Sequence, residues 1–222
     1  MSNLNLSEFH YFGFDESPIG GNSSGLVLTY AHSTNDDLVR RGGNFHKAKD
    51  YLDFSKKSVE VFVPTLESMQ SRGLASYSWM RSNQGRKFCR QRAAHASIGR
   101  LLLQSDVEAS KMVVYIDAFF PKQETQALVC DYLRFYGFDL PKEQIHVIAG
   151  GDKEVELINF ADILAYRIAA GFRRKQNDYL YQGEPSLPSL DPFSGEINAS
   201  LRRVSTVANE GRRVLENCLK NK

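Results

Sequence analysis

Two short runs, "FHYFGFD" (9–15) and "LVLTYAH" (26–32), carry the first apolar signal along the chain. They are rich in aromatic and β-branched residues, and the turn-forming "ESPIGGNSSG" separates them. This predicts two strands joined by a turn. Residues 33–58, with "RRGG" and "HKAKD", are polar and basic and predict an exposed insertion or a long connection. "VEVFVP" (59–64) predicts a third strand. From Phe88 to Gln104 the period changes to that of a helix, with Ala94, Ile98, Leu101 and Leu102 on one face. The continuous apolar run "KMVVYIDAFF" (111–120) predicts a central strand covered on both faces. A helix near 123–136, ended by Gly137, leads to another buried strand, "QIHVIAG" (144–150).

The next segment, "GGDKEVELINFADILAY" (150–166), predicts a helix that is apolar almost all round, which is the mark of a buried helix. It nevertheless carries Asp152, Glu156 and Asp162. A Pro-rich surface loop (176–196) follows, then an amphipathic helix over about 197–219. The apolar stripe of that last helix runs from Ile197 through Leu201, Val204, Ala208 and Leu215, and its outer face bears Arg202, Arg203, Arg212 and Arg213. Such a helix packs on the body with solvated arginines, forms a homodimer seam, or serves as a phosphate-facing arm. Hairpin-linked strands followed by strand–helix alternation predict an α/β fold. Its core is a mixed five-stranded sheet with helices on both faces and a C-terminal amphipathic helix.

Length and composition narrow the picture without changing it. The 222 residues, 42% hydrophobic and 24% charged, suit a single domain over 1–222. A formal net charge of +2 provides no global basic field, so any nucleic-acid partner must be met by local patches. "MSNLNLSEFH" does not read as a signal peptide, and no apolar stretch reaches the roughly 18 residues of a membrane span. Cys89, Cys130 and Cys218 are isolated, with no CxxC, which argues against a zinc site or a disulfide framework and for a cytoplasmic setting. No GxSxG, Walker A or GxGxxG motif occurs. His146, inside "QIHVIAG", reads as a core histidine.

The candidate chemistry lies in the acids. Asp15 ends the first strand, Glu16 follows it, Asp117 ends "VVYID", and Asp152 opens the apolar helix that also bears Asp162. If the first and fourth strands are parallel neighbours, these acids meet at the carboxyl edge of the sheet, where α/β folds collect their chemistry. Three or four carboxylates with no Arg or Lys between them repel, and Mg²⁺ or Mn²⁺ would remove that cost. Two such ions about 3.5–4 Å apart form a clamp for phosphodiester hydrolysis. Each acid also has an ordinary structural role open to it: Asp15 as a turn residue, Asp117 as a helix cap, Asp152 as an N-cap. "MRSNQGRKFCRQR" (80–92) adds Arg81, Arg86, Lys87, Arg90 and Arg92 just after Tyr77 and Trp79. This mixture suits single-stranded nucleic acid, and equally a solvated face. Arg40, Arg41, Lys47 and Lys49 form a weaker second patch.

In order and context, "FGFDES", "VVYID" and "GD" followed ten residues later by "DILA" resemble the ribonuclease H superfamily, and within it RNase HII. The resemblance implies a metal-dependent nuclease with Asp15, Glu16, Asp117 and Asp152 as its metal-binding acids. "ADILA" (161–165) falls on the family's small-residue "ASILA" motif, with Asp162 in place of its serine. A second group of RNase H-like proteins opens with "DES" and places its last acid in an "ADILA"-like segment, so Asp162 is the alternative last ligand. On one ideal helix Asp152 and Asp162 would point roughly 80° apart. The Gly-Arg-Gly loop of RNase HII is replaced here by "SPIGG". That makes single-stranded DNA, attacked from an end, as good an expectation as an RNA/DNA hybrid. The alternatives are a non-catalytic module that binds nucleic acid or protein, and a phosphohydrolase on the same architecture.

Overall fold

Alternation along the first strand sets the sheet. A computed structural model of the chain describes residues 9–18, 25–51, 74–81 and 90–173. Within them, β1 (His10–Pro18) turns Phe12 and Phe14 to one face and Tyr11, Gly13 and Asp15 to the other. β2 (Gly25–Ser33) pairs with β1 antiparallel, and β3 (Ala75–Arg81) pairs antiparallel with β2. β4 (Met112–Asp117) lies parallel to the other side of β1, and β5 (Ile145–Ile148) lies parallel to β4. The result is a mixed five-stranded α/β sheet of order β3-β2-β1-β4-β5.

This order moves one strand from its expected place. β4 is interior, between β1 and β5, while among the described residues β5 is an edge strand rather than a buried one. On that edge His146 is exposed and stacks on Tyr115, so it is not a core histidine. The segment 59–64 and the C-terminal segments 176–196 and 197–219 lie outside the described residues. Strand β3 falls on "ASYSWMR", whose last two residues open the basic stretch 80–92.

Two helices cover the face of Phe12 and Phe14. The short α1 (Ala48–Tyr51) precedes them in the chain, and they are α2 (Arg90–Leu103) and α3 (Lys122–Phe135). Ile98, Leu101 and Leu102 of α2, and Val129 and Leu133 of α3, join Leu28, Met112, Val114 and Ile116 in the main core. Burial of these aliphatic and aromatic side chains stabilises this half of the fold.

The opposite face is covered by the segment expected to be one helix. It is two. α4 (Gly151–Glu154) ends at Val155, whose extended backbone (φ −123°, ψ 117°) breaks the run, and α5 (Glu156–Arg173) begins next to it. Ala161, Ala165 and Ala169 repeat at helical spacing and are buried, so small side chains let α5 lie close on the sheet. The approach is closest at Gly13 of β1, where a Cβ would come within 2.6 Å of the Leu157 backbone. Thr29 of β2 adds a buried hydrogen bond, its hydroxyl donating to the carbonyl of Ala161 (2.7 Å).

Candidate metal centre

The parallel pairing of β1 and β4 brings Asp15 and Asp117 to the same edge and the same face of the sheet. The register runs from His10 opposite Met112 to Phe14 opposite Ile116, which leaves the two aspartates as the next residue on each strand. Beyond β4 the chain reaches the third acid through a glycine pair. Gly150 takes the left-handed backbone (φ 65°) that caps α4, a conformation that costs glycine little. Gly151 then donates its backbone N–H to Asp117 Oδ1 (2.7 Å). Asp117 is thus both a site acid and the acceptor that fixes the start of α4.

Asp152 is 2% exposed and Asp15 is 5% exposed, while Asp162 on α5 is half-buried. All three belong with Asp117 in one electrostatic group. Burial raises the Asp15 carboxyl well above the usual carboxylate range, and the charges of Asp117, Asp162 and Asp152 raise it further. Burial also raises Asp117 and Asp162, against the backbone N–H groups of Gly151 and Ala118 on the first and of Ala48 on the second. Asp15, Asp117, Asp152 and Asp162 are thus close enough at this edge to act on one another electrostatically. Because the helix is broken at Val155, Asp152 and Asp162 approach from separate helices, and the 80° expected on a continuous helix does not apply.

Glu16 is placed differently. It is the next residue on β1, paired with Leu28, so strand alternation turns it toward the face of Phe12 and Phe14.

The expectation that no cation stands among the acids is overturned. Lys47, from the segment after β2, places its ammonium 2.8 Å from Asp152 Oδ2. A strap of backbone bonds holds that lysine over the site. Gly43 and Phe45 donate their N–H groups to the carbonyls of Glu154 (3.1 Å) and Lys153 (3.0 Å), and Ala48 donates to Asp162 Oδ2 (2.8 Å). The Asn159 amide donates to the carbonyls of both His46 and Asp152 (2.8 Å each), tying strap and turn together. Arg41 pairs with Glu154 at the outer end. The "HKAKD" stretch had shown only as a weak basic patch, because its acidic partners lie more than a hundred positions away in sequence.

With Lys47 in this position, no three His, Cys, Asp or Glu side chains among the described residues are gathered closely enough to hold an ion. Yet one feature fits a second cation. Asp152 Oδ1 is buried and accepts no hydrogen bond. A buried carboxylate oxygen without a donor is costly, and an all-oxygen set of four aspartates suits a hard divalent ion.

The basic residues divide. Arg81 closes β3 opposite Gly25, at the sheet edge where β1 also ends. Arg90 and Arg92 lie in the first turn of α2, and Ala94 just after them packs with Leu26, Phe119 and Phe120 near the end of β4. Arg86 and Lys87 lie outside the described residues.

Neither a protein-family model nor a curated protein matches the sequence. The similarity lies in solved structures. A chain of the PCNA:RNase HII complex from Archaeoglobus fulgidus superposes with a TM-score of 0.48 at 12% identity, over 90% of each chain. Ribonuclease H2 from Pyrococcus horikoshii gives 0.49 at 15% identity over 82% of each chain. Bst-RNase HIII in complex with Mn²⁺ gives 0.48 at 14% identity, over 82% of this chain and 60% of that one.

Proposed function

We propose that the chain is a metal-dependent nuclease of the RNase H-like kind, hydrolysing phosphodiester bonds at the edge where β1 and β4 end. The observation that carries this reading is the donorless, buried Oδ1 of Asp152 beside Asp15, Asp117 and Asp162. Asp15, Asp117 and Asp152 would hold Mg²⁺ or Mn²⁺, with Asp162 as a further ligand or the alternative to Asp152. When bound there, such an ion would supply an activated water and charge stabilisation at the phosphate. The protein's own part is positional. Gly151 N–H fixes one oxygen of Asp117, and Ala48 N–H fixes one oxygen of Asp162. Glu16, on the other face of β1, would act from the strand end by orienting water. Arg81, Arg90 and Arg92, with Arg86 and Lys87, would track the phosphate backbone past this edge. The substrate is single-stranded DNA or an RNA/DNA hybrid.

The test is cleavage of labelled single-stranded DNA, duplex DNA, RNA and RNA/DNA hybrid, each with Mg²⁺, Mn²⁺ or EDTA. Asp117→Asn should lower any metal-dependent cleavage by more than about 100-fold, beyond what loss of an outer-shell partner costs a metal site. A second reading has one observation in its favour. The Lys47 ammonium already neutralises part of the acid group, which suits a non-catalytic module that binds nucleic acid or protein. Unchanged oligonucleotide binding by Asp117→Asn, with no cleavage by either protein, would select that reading.

A further inference from the structure

We infer that Lys47 is a built-in counter-ion that occupies a cation position of the four-aspartate group, and that a divalent ion must displace it to bind. The inference rests on the metal-site reading above and concerns a residue that reading does not use.

Three observations carry it. The ammonium lies 2.8 Å from Asp152 Oδ2, and Asp152 is 2% exposed, so the lysine is bonded to the most enclosed carboxylate of the group. Its other side remains open, at 46% exposure, so it can leave into water without dismantling the core. With it in place, the acids among the described residues are not gathered to coordination distance, although Asp152 Oδ1 is buried and has no donor. A cation on Oδ2 repels a second cation on the neighbouring oxygen of the same carboxylate, so the two compete. Removing the lysine leaves a buried carboxylate unpaired, a cost that a metal ion would relieve.

The strap supplies the return path. The backbone bonds of Gly43, Phe45 and Ala48, and the amide of Asn159, hold the main chain on both sides of Lys47. Displacement therefore needs only a side-chain rotation, and loss of the ion lets the ammonium swing back.

Mn²⁺ binding to the full chain, followed by electron paramagnetic resonance of free Mn²⁺ without nucleic acid, tests this directly. Lys47→Met should bind Mn²⁺ at least tenfold more tightly than the wild type, and Lys47→Arg, which keeps the charge, should stay near the wild type. In EDTA Lys47→Met should unfold at a lower temperature than the wild type and gain more from added Mn²⁺. Should Lys47→Met fail to fold, the wild type still answers. Acetylation of Lys47, read by mass spectrometry against the exposed Lys49 and Lys153, should rise when Mn²⁺ is added. Equal Mn²⁺ affinity in Lys47→Met and wild type, or Lys47 acetylation unchanged with Mn²⁺ bound, would overturn the inference and leave the metal site standing. No Mn²⁺ binding by any of the proteins would overturn both.

Discussion

Asp15 concentrates the electrostatic tension of the molecule. It lies almost out of contact with water, its Oδ1 accepts the Glu16 N–H (2.6 Å), and three other aspartates act on it. A carboxyl raised in the folded state binds its proton there more tightly than in the unfolded chain. Stability is therefore lost as pH rises from the ordinary carboxylate value, 3.8, through the raised one. At neutral pH this group works against folding. Asp15→Asn removes the charge at nearly constant shape. It should raise stability in EDTA at pH 7.5, measured by urea denaturation, and on the nuclease reading proposed above it should abolish cleavage. Equal or lower stability of the variant would show that Asp15 is not under this repulsion.

His95 of α2 sets the opposite slope. Burial lowers it to about 4 from 6.5, against the charge of Glu124, and its Nε2 lies 3.2 Å from the Thr125 hydroxyl. The unfolded chain takes up this proton near 6.5 and the folded chain only near 4, so stability is complete above pH 6.5 and is lost as pH falls toward 4. The total is roughly 3 kcal/mol at 1.36 kcal/mol per unit. Asp15, Asp117 and Asp162 change in the other sense over the acidic range, so the wild-type profile is a sum of opposed terms. Comparing His95→Gln with the wild type isolates one of them: the variant should lose less stability between pH 6.5 and 4.5. Parallel profiles would mean that the histidine is protonated in the fold.

At the scale of elements, patterns in the sequence revealed what depended on local order and concealed what depended on distant partners. The helical period over 88–104 and the apolar run over 111–120 correspond to α2 and β4 because one buried face dictates each pattern. β3 was missed although "ASYSWMR" alternates, since its aromatics beside so many arginines invited a nucleic-acid reading. The break at Val155 has no Gly or Pro to announce it, and a segment apolar on every side looks the same broken or whole. Asp117 and Asp152 stand where β4 ends and α4 begins, positions that a local pattern marks. Nothing local marks Lys47, a lysine whose partner lies on α4. The junction of α5 with β1 allows a direct test. Gly13→Ala would place a methyl group 2.6 Å from the Leu157 backbone, and helix backbone cannot yield as a flexible side chain would. The expected loss is about 3 kcal/mol or more, read from thermal unfolding, and a loss under about 0.5 kcal/mol would show that α5 can lift from the sheet.

Taken as a whole, the molecule keeps its two faces for separate duties. The main core of Phe12, Phe14, Ile98, Leu101 and Leu133 lies under α2 and α3, away from the acids. The acids lie on the other side, under α4, α5 and the strap, and no described helix is long and apolar enough to cross a membrane. The contact at Gly13 has a consequence for how such a chain can change over time. Where α5 rests on β1, the spacing is set by main chain against main chain, with no side chain between them. At this point the distance from strand to helix is therefore set by main chain and not by the size of a side chain. Large parts of the sequence can be exchanged while that distance stays fixed, so descendants of one ancestor could keep the same acid geometry long after their sequences had ceased to match.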